Sequence, residues 1–267
     1  MKLPFLISMP RSRSTVLFEN MAPYMNHLGH PHIKNHAEYF LEWGRNVEFH
    51  DIKTNEKNMT ELFPVSTKNE LGLHFIYPPV FDNGYDRCMH KLAVLKQEKD
   101  MGREYFIKGT LNISRATEEV VDFFSDKKFI LTKRRSVEDM ILSFMFAWEC
   151  KIFHARENNV EIYKELLKTP VEGSIETLYG YVEFLGRAET VEAYIKKQGY
   201  EYQVVDYEDL DSDEKIYSTI DGIFETTEWR NHMPQTAHLP IRFDKDYSNI
   251  FTNITELKRI INEEFPK

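Results

Sequence analysis

Residues 3–18 read LPFLISMPRSRSTVLF, and this stretch decides most of what the sequence predicts about the fold. The first six residues form a nearly unbroken apolar run, which is typical of a strand buried in a parallel sheet. A polar turn with two arginines and three hydroxyl groups follows, and Val16, Leu17 and Phe18 then predict the start of a helix. Because backbone N–H groups and the positive end of the helix dipole converge at such a turn, the stretch predicts a site for a phosphate-like anion.

Further along the chain, apolar runs alternate with segments of helical periodicity. Strands are predicted at residues 3–8, about 31–35, 104–109, 128–133 and 202–206, and helices at 14–26, 37–46, 114–124, 136–154, 159–168, 173–198, 213–224 and 252–264. Alternating strands and helices indicate a parallel sheet that is covered by helices on both faces. We therefore expect one α/β domain over residues 1–267, a three-layer P-loop-NTPase-like sandwich around a central, mostly parallel sheet.

The composition argues against several classes of protein. The formal net charge of −9 argues against nucleic acid as a partner. No apolar run is long enough to predict a membrane span, and Pro10 and two arginines interrupt the short N-terminal apolar run, so no signal peptide is predicted. Two cysteines cannot form a disulfide framework, and we expect a cytoplasmic protein. No motif indicates an oligomeric state.

A second polar motif follows the predicted strand 128–133. Arg135 comes shortly after this strand, and Ser143 lies eight positions later, with Asp139 between them. Two helical turns separate Arg135 from Ser143, so the two side chains can contact one phosphate from two sides. Arginine suits this role because its guanidinium group pairs with phosphate oxygens through two parallel hydrogen bonds.

These motifs resemble those of sulfotransferases that use the nucleotide sulfate donor PAPS. The Pro-Arg-Ser-Arg-Ser-Thr loop resembles a bacterial or phage-type variant, and it lacks the glycines and the Gly-Lys-Ser/Thr ending of a P-loop. The Arg135–Ser143 spacing is similar to the family motif Arg-Asp/Asn-Pro-x-Asp-x-x-x-Ser. Residues 106–108 resemble the family's Phe-Ile-Lys-Thr-His strand, and residues 207–210 its Tyr-Glu-Asp-Leu motif.

The resemblance implies a role for each matching residue. The N-terminal loop binds the 5′-phosphate of PAPS in the family, a role that falls here to Arg11, Ser12, Arg13, Ser14 and Thr15 with nearby backbone N–H groups. Arg135 and Ser143 would bind the 3′-phosphate, the group that distinguishes PAPS from ATP-like nucleotides. Tyr207 would lie near the adenine. Arg11 and Lys108 would stabilise the negative charge that develops on the leaving group.

Several of these residues also have a purely structural interpretation. Arg13 occupies the position of a family glycine, so it would need either a positive φ or a different path of the loop. Tyr207 could equally be a core aromatic residue. Lys133 and Arg134, which precede Arg135, could belong to a solvated basic run at the surface.

The general base is the residue that the motifs identify least directly. The cytosolic enzymes of the family carry a histidine two positions after the lysine, where this chain has Thr110. The bacterial enzymes carry a Glu-Pro-x-Glu segment whose first glutamate aligns with Asn35, and an amide cannot accept the proton. The role would pass to Glu38 or to His36, although Glu38 is also an ordinary residue for the first turn of a helix.

The predicted reaction is metal-independent, in-line transfer of a sulfuryl group from PAPS to a hydroxyl group, or less commonly an amine, with PAP as product. The acceptor would be a small molecule or a lipid headgroup, and residues 48–103, the least regular stretch, would shape its site. Two alternatives stay open. One is a non-catalytic relative that binds PAP or another anion. The other is a P-loop phosphotransferase, which would need the missing Gly-Lys-Ser/Thr ending.

Overall fold

The computed structural model describes residues 2–9, 11–30, 66–68, 74–76, 84–110, 116–150, 160–233 and 245–266. The strands in these ranges are β1 (Pro4–Ser8), β2 (Ser66–Lys68), β3 (His74–Ile76), β4 (Lys108–Thr110), β5 (Lys128–Lys133) and β6 (Tyr202–Asp206). The main sheet has the order β4-β1-β5-β6, and all of its pairings are parallel. β2 and β3 form a separate antiparallel pair.

Helices follow the strands of the main sheet. They are α1 (Ser14–His27), α2 (Gly84–Asp100), α3 (Thr117–Phe123), α4 (Val137–Cys150), α5 (Val160–Leu166), α6 (Ile175–Gln198), α7 (Asp213–Phe224), α8 (Tyr247–Ile250) and α9 (Ile254–Glu264), with 3₁₀ helices at Tyr207–Leu210 and Glu228–His232. Within the described ranges, no helix combines the length and the hydropathy that a membrane crossing requires.

Side chains of the central strands alternate between two apolar clusters, one on each face of the sheet. Phe5 and Ile7 pack on the face that is covered by helices including α3, α4 and α6. Leu6 and Ile130 pack on the opposite face, which is covered by α1 and α7. The molecule therefore has helix, sheet and helix layers, and the predicted three-layer α/β class with a parallel central sheet is confirmed.

Most predicted elements lie where the periodicity places them. β5, β6 and α7 coincide with the predicted ranges, and β1 and α1 differ from them by one residue. The strand predicted at 104–109 is shorter and later, since β4 spans Lys108–Thr110. The strand predicted at 31–35 and the helix predicted at 37–46 lie outside the described residues.

Helix α2 is the element that the sequence interpretation missed. It lies within the stretch 48–103, which was predicted to be irregular. Cys88, Leu92 and Leu95 are buried against the sheet, and their spacing of four and three residues forms one helical face. The charged residues towards both ends of the helix concealed this face, because they lower the mean hydropathy of the segment.

Candidate anion-binding site

The loop between β1 and α1 has a left-handed backbone at two arginines. The φ angles are 67° at Arg11 and 60° at Arg13. A left-handed conformation costs about 1–2 kcal/mol for a residue with a Cβ atom. Between the two arginines, Ser12 is fully buried, and its hydroxyl group bonds the Met9 carbonyl and, at 2.7 Å, Thr132 Oγ1 of β5. Ser12 therefore fixes the loop to the sheet and has its hydrogen-bonding capacity used within the protein.

Arg11 and Ser143 are brought together by this loop. Arg11 Nε donates a hydrogen bond to Ser143 Oγ at 3.1 Å. Ser143 lies on α4 and is 3% exposed, so its hydroxyl group faces the interior at the end of the sheet. Two residues that the sequence predicts to contact different phosphates are thus in direct hydrogen-bond contact.

Lys108 lies beside the first turn of α1. Its ammonium group is almost fully buried and donates a hydrogen bond to Thr15 Oγ1 at 3.0 Å. No side chain caps the N-terminus of α1, and the first backbone bond of the helix runs from the Leu17 N–H to the Arg13 carbonyl. The preceding N–H groups of the helix therefore lack an intrahelical acceptor. The ammonium group of Lys108 therefore lies next to the uncapped N-terminus of α1.

Tyr207 lies under two guanidinium groups. The Cζ atoms of Arg13 and Arg134 are 3.9 Å and 4.5 Å from the centre of its ring. Arg13 also donates hydrogen bonds to the Tyr207 hydroxyl group at 3.0 Å and to the Leu210 carbonyl at 2.6 Å. These contacts join the β1–α1 loop to the 3₁₀ helix after β6, and they bring two predicted site residues together.

The three consecutive basic residues 133–135, at the end of β5 and directly after it, contact three different partners. Lys133 forms an ion pair with Glu192 on α6. Arg135 is exposed and donates hydrogen bonds to Asp206 at 2.8 Å and to Asp209 at 3.2 Å. Among the described residues, Arg135 and Ser143 share no hydrogen-bond partner. That both residues bind one phosphate group therefore stays a prediction.

Arg134 is the member of this run that faces the interior. It donates a hydrogen bond to the Asp139 carbonyl at 3.3 Å, while its Nε–H is buried and has no acceptor among the described residues. A buried donor without an acceptor costs about 1–3 kcal/mol, and a bound anion would satisfy it. The interpretation of Arg134 as a solvated surface residue is therefore wrong.

Lys245 is a site residue that the sequence motifs missed. Its Nζ is 3.4 Å from Ser143 Oγ, and it lies 5.6 Å from the ring centre of Phe146 and 5.4 Å from that of Tyr163. Burial, and then the guanidinium charges of Arg11 and Arg134, lower the pKa of Lys245 to about 7. No sequence motif contains Lys245, because only the packing of the C-terminal segment onto α4 and α5 brings it to the site.

Two tyrosines complete the surroundings of Ser143 and Lys245. Burial raises the pKa of Tyr163 to about 12. Burial also raises the pKa of Tyr247, although a hydrogen bond with Ser143 acts in the opposite direction. Both phenols therefore stay protonated at neutral pH.

The two candidate bases, Glu38 and His36, lie outside the described residues, as does Asn35. Thr110 is the last residue of β4. Across the described parts of the chain, no group of three His, Cys, Asp or Glu side chains is placed to hold a metal ion.

Comparisons with known proteins give one structural likeness. No family model matches the chain, and no curated protein matches it. The fold is similar to that of the sulfotransferase STF1 from Mycobacterium tuberculosis, with a TM-score of 0.44 and 12% sequence identity, over 99% of this chain and 76% of that one. A likeness at this level carries no argument about activity, so the function is argued from the residues of the chain itself.

Proposed function

We propose that this chain transfers a sulfuryl group from PAPS to a hydroxyl group of a small-molecule or lipid-headgroup acceptor. The observation that carries the proposal is a cluster of cationic side chains around the β1–α1 loop, Arg11, Arg13, Lys108, Arg134 and Lys245. In open α/β sheets, ligands bind outside the carboxyl ends of the strands. Several cations gathered at that edge of the sheet favour a ligand with several negative charges, such as a nucleotide with two phosphate positions.

The first turn of α1 is suited to the 5′-phosphate of the donor. Ser14 Oγ makes no hydrogen bond with the described residues, and Thr15 Oγ1 accepts one from Lys108 and keeps its own proton for donation. The uncapped N–H groups of the helix add further donors. Lys108 is close enough to Thr15 to contact the same phosphate group.

The second anionic group of the donor would lie near Ser143. The resemblance to the family motif implies that Arg135 and Ser143 bind its 3′-phosphate, and Arg135 would then exchange its bonds to Asp206 and Asp209 for bonds to phosphate. Arg134 supports the same site through its buried Nε–H. Tyr207 would contact the adenine beside the guanidinium groups that lie over its ring.

The donor supplies a sulfuryl group on a good leaving group. As the acceptor oxygen forms its new bond to sulfur, the bond from sulfur to the 5′-phosphate oxygen breaks, and negative charge develops on that oxygen. Arg11 and Lys108 are the cations that would stabilise this charge. Glu38 or His36 would accept the proton of the acceptor hydroxyl group, a step that contributes about 10²–10⁴-fold to the rate.

Calorimetric binding of PAP and of ADP tests the donor assignment, because the two nucleotides differ in where the second phosphate is attached. We expect micromolar binding of PAP and about 10–100-fold weaker binding of ADP, the value of one or two hydrogen bonds to a charged group. Arg135→Ala should remove this preference. Equal affinity for both nucleotides, or binding of neither, would overturn the assignment.

The variants Arg134→Ala and Arg259→Ala test which arginine is responsible for the preference for PAP over ADP. Arg259 is exposed on α9 and pairs with Glu263, so its loss should leave nucleotide binding unchanged. If Arg134→Ala removes the preference for PAP and Arg135→Ala keeps it, Arg134 is the ligand of the 3′-phosphate.

Release of PAP from PAPS in the presence of hydroxyl acceptors distinguishes an enzyme from a binding protein. We expect acceptor-dependent release that Glu38→Gln or His36→Ala lowers by at least about tenfold. Binding of PAP without release under any acceptor would identify a non-catalytic relative. Phosphate transfer from ATP with magnesium would instead identify a phosphotransferase.

A further inference from the structure

Lys245 has no carboxylate partner among the described residues. It lies two residues before α8, and none of the ion pairs among the described residues includes it. Its ammonium group contacts the Ser143 hydroxyl group and two aromatic rings, those of Phe146 and Tyr163. These neighbours are neutral, so none of them supplies a negative charge to balance the ammonium group.

Among the described residues, the charged and titratable groups that face Lys245 lie on several different elements. Arg11 lies on the β1–α1 loop, Arg134 follows β5, Cys150 ends α4, Tyr163 lies on α5 and Tyr247 begins α8. The two arginines disfavour a further positive charge, and Cys150 favours it weakly.

Two described carboxylates on the surrounding elements, those of Asp139 and Asp246, are engaged elsewhere. Asp139 pairs with Arg134. Asp246, next to Lys245 in sequence, caps α8 by accepting hydrogen bonds from Ser248 and Asn249. The ammonium form of Lys245 is therefore disfavoured until an anion enters the space between Lys245 and the two arginines.

We propose that Lys245 takes up a proton when the donor nucleotide binds, so that anion binding at this site is coupled to protonation of one lysine. The inference rests on the proposed function, because it takes the phosphate groups of PAPS or PAP as the anion. A phosphate dianion offsets the charges of Arg11 and Arg134, and the ammonium form of Lys245 then becomes favourable. In the absence of the anion, burial and the two arginines lower the pKa of Lys245 to about 7, so its neutral form is accessible at neutral pH.

Proton uptake by Lys245 can be distinguished from the titration of the ligand, because the phosphate groups of the ligand release protons when they bind. The second pKa of a phosphate monoester is about 6, so binding to cations near pH 6 releases protons from the ligand. At pH 8 the phosphate groups are already dianionic, and Lys245 is largely neutral in the free protein. Net proton uptake at pH 8 therefore reports on the protein and has a sign that the ligand cannot produce.

Calorimetry of PAP binding at pH 8 in Tris and in HEPES tests the coupling, since the two buffers differ in ionisation enthalpy. We expect the wild-type protein to take up nearly one proton for each PAP bound. Lys245→Arg should bind PAP without proton uptake, because arginine stays charged at this pH. Lys215→Arg is the matched control, since Lys215 is exposed on α7 and pairs with Asp211, and it should keep the wild-type uptake.

The pH dependence gives a second measurement. By linkage, PAP affinity of the wild-type protein should fall by up to about tenfold per pH unit between pH 7.5 and 9, and that of Lys245→Arg should stay nearly constant. PAP binding without proton uptake, or the same uptake in Lys245→Arg, overturns the coupling and leaves the proposed function standing. Failure of PAP to bind overturns both.

Discussion

Arg13 combines an unfavourable backbone conformation with side-chain contacts that hold it. The residue caps α1 in the left-handed region, where glycine has no steric cost. Its guanidinium group contacts the Tyr207 ring and hydroxyl group and the Leu210 carbonyl. These contacts explain why an arginine can occupy a position that other loops of this kind give to glycine.

Arg13→Gly and Arg13→Ala separate the backbone cost from the side-chain contacts. Both variants lose the contacts to Tyr207 and Leu210, and Arg13→Ala should lower the free energy of unfolding by about 1–3 kcal/mol. Arg13→Gly relieves the left-handed strain as well, and it should be about 1 kcal/mol more stable than Arg13→Ala. Urea denaturation measures both differences. Equal stability of the two variants would mean that the backbone at Arg13 is not left-handed in solution.

At the scale of elements, one buried carboxylate joins the end of α2 to the approach to β4. Glu98 is 4% exposed and accepts hydrogen bonds from Arg103 at 2.6 Å and 2.9 Å and from the Tyr105 hydroxyl group at 2.7 Å. Burial alone would raise the pKa of Glu98, but the hydrogen bonds from Arg103 and Tyr105 outweigh it and lower the pKa. This contact positions the chain that leads to Lys108.

Glu98→Ala should lower the free energy of unfolding by about 3–5 kcal/mol, because it leaves the Arg103 guanidinium group and the Tyr105 hydroxyl group without their partner. Glu161→Ala, which removes an exposed partner of Lys164, should change it by less than about 0.5 kcal/mol. The pKa of Glu98 is lower in the folded state than its ordinary value of 4.5. The contribution of Glu98 to the free energy of unfolding is therefore complete above pH 4.5 and is lost as the pH falls through the folded-state pKa. Urea denaturation at pH 7 and pH 3 checks both points, and a constant difference would contradict the assignment.

At the scale of the whole molecule, the cationic site has a cost in stability. The pKa of Lys245 is about 7 in the folded protein and has an ordinary value of 10.5 in an unfolded chain. Between these values the unfolded state binds more protons, so the free energy of unfolding rises with pH. The cost is complete below pH 7 and disappears as the pH approaches 10.5.

Lys245→Met should therefore raise the melting temperature at pH 6, in the absence of nucleotide, by about 2–4 °C for each kcal/mol of cost removed. The gain should shrink between pH 7 and pH 10, because the wild-type lysine becomes neutral. Lys215→Met should show no such pH-dependent gain. A difference between Lys245→Met and wild type that is independent of pH would contradict a titrating lysine at this position.

The sequence predicts this fold well where packing follows simple periodicity. The apolar residues of β1 and β5 are buried on both faces, so their runs alone identify the strands. Helix α2 escaped prediction because charged residues at both of its ends obscure the apolar face formed by Cys88, Leu92 and Leu95.

The site was predictable only in part, for a related reason. Motif spacing identifies Arg11, Lys108 and Ser143, which the fold brings to one end of the sheet. The choice between Arg134 and Arg135 depends on how the chain turns after β5, and the arrival of Lys245 depends on the packing of the C-terminal segment. Local periodicity in the sequence predicts neither the turn after β5 nor the packing of the C-terminal segment.

β1 lies in the interior of the main sheet and leads directly into the loop of the candidate anion-binding site. β1 is paired with β4 on one side and with β5 on the other, and Leu6 and Ile7 are fully buried. Amide hydrogens of such a strand exchange with solvent only when the whole molecule opens, whereas those of edge strands exchange through smaller openings. A nucleotide that binds the loop after β1 stabilises the folded state, so it should slow the exchange of those amides that open only with the whole molecule.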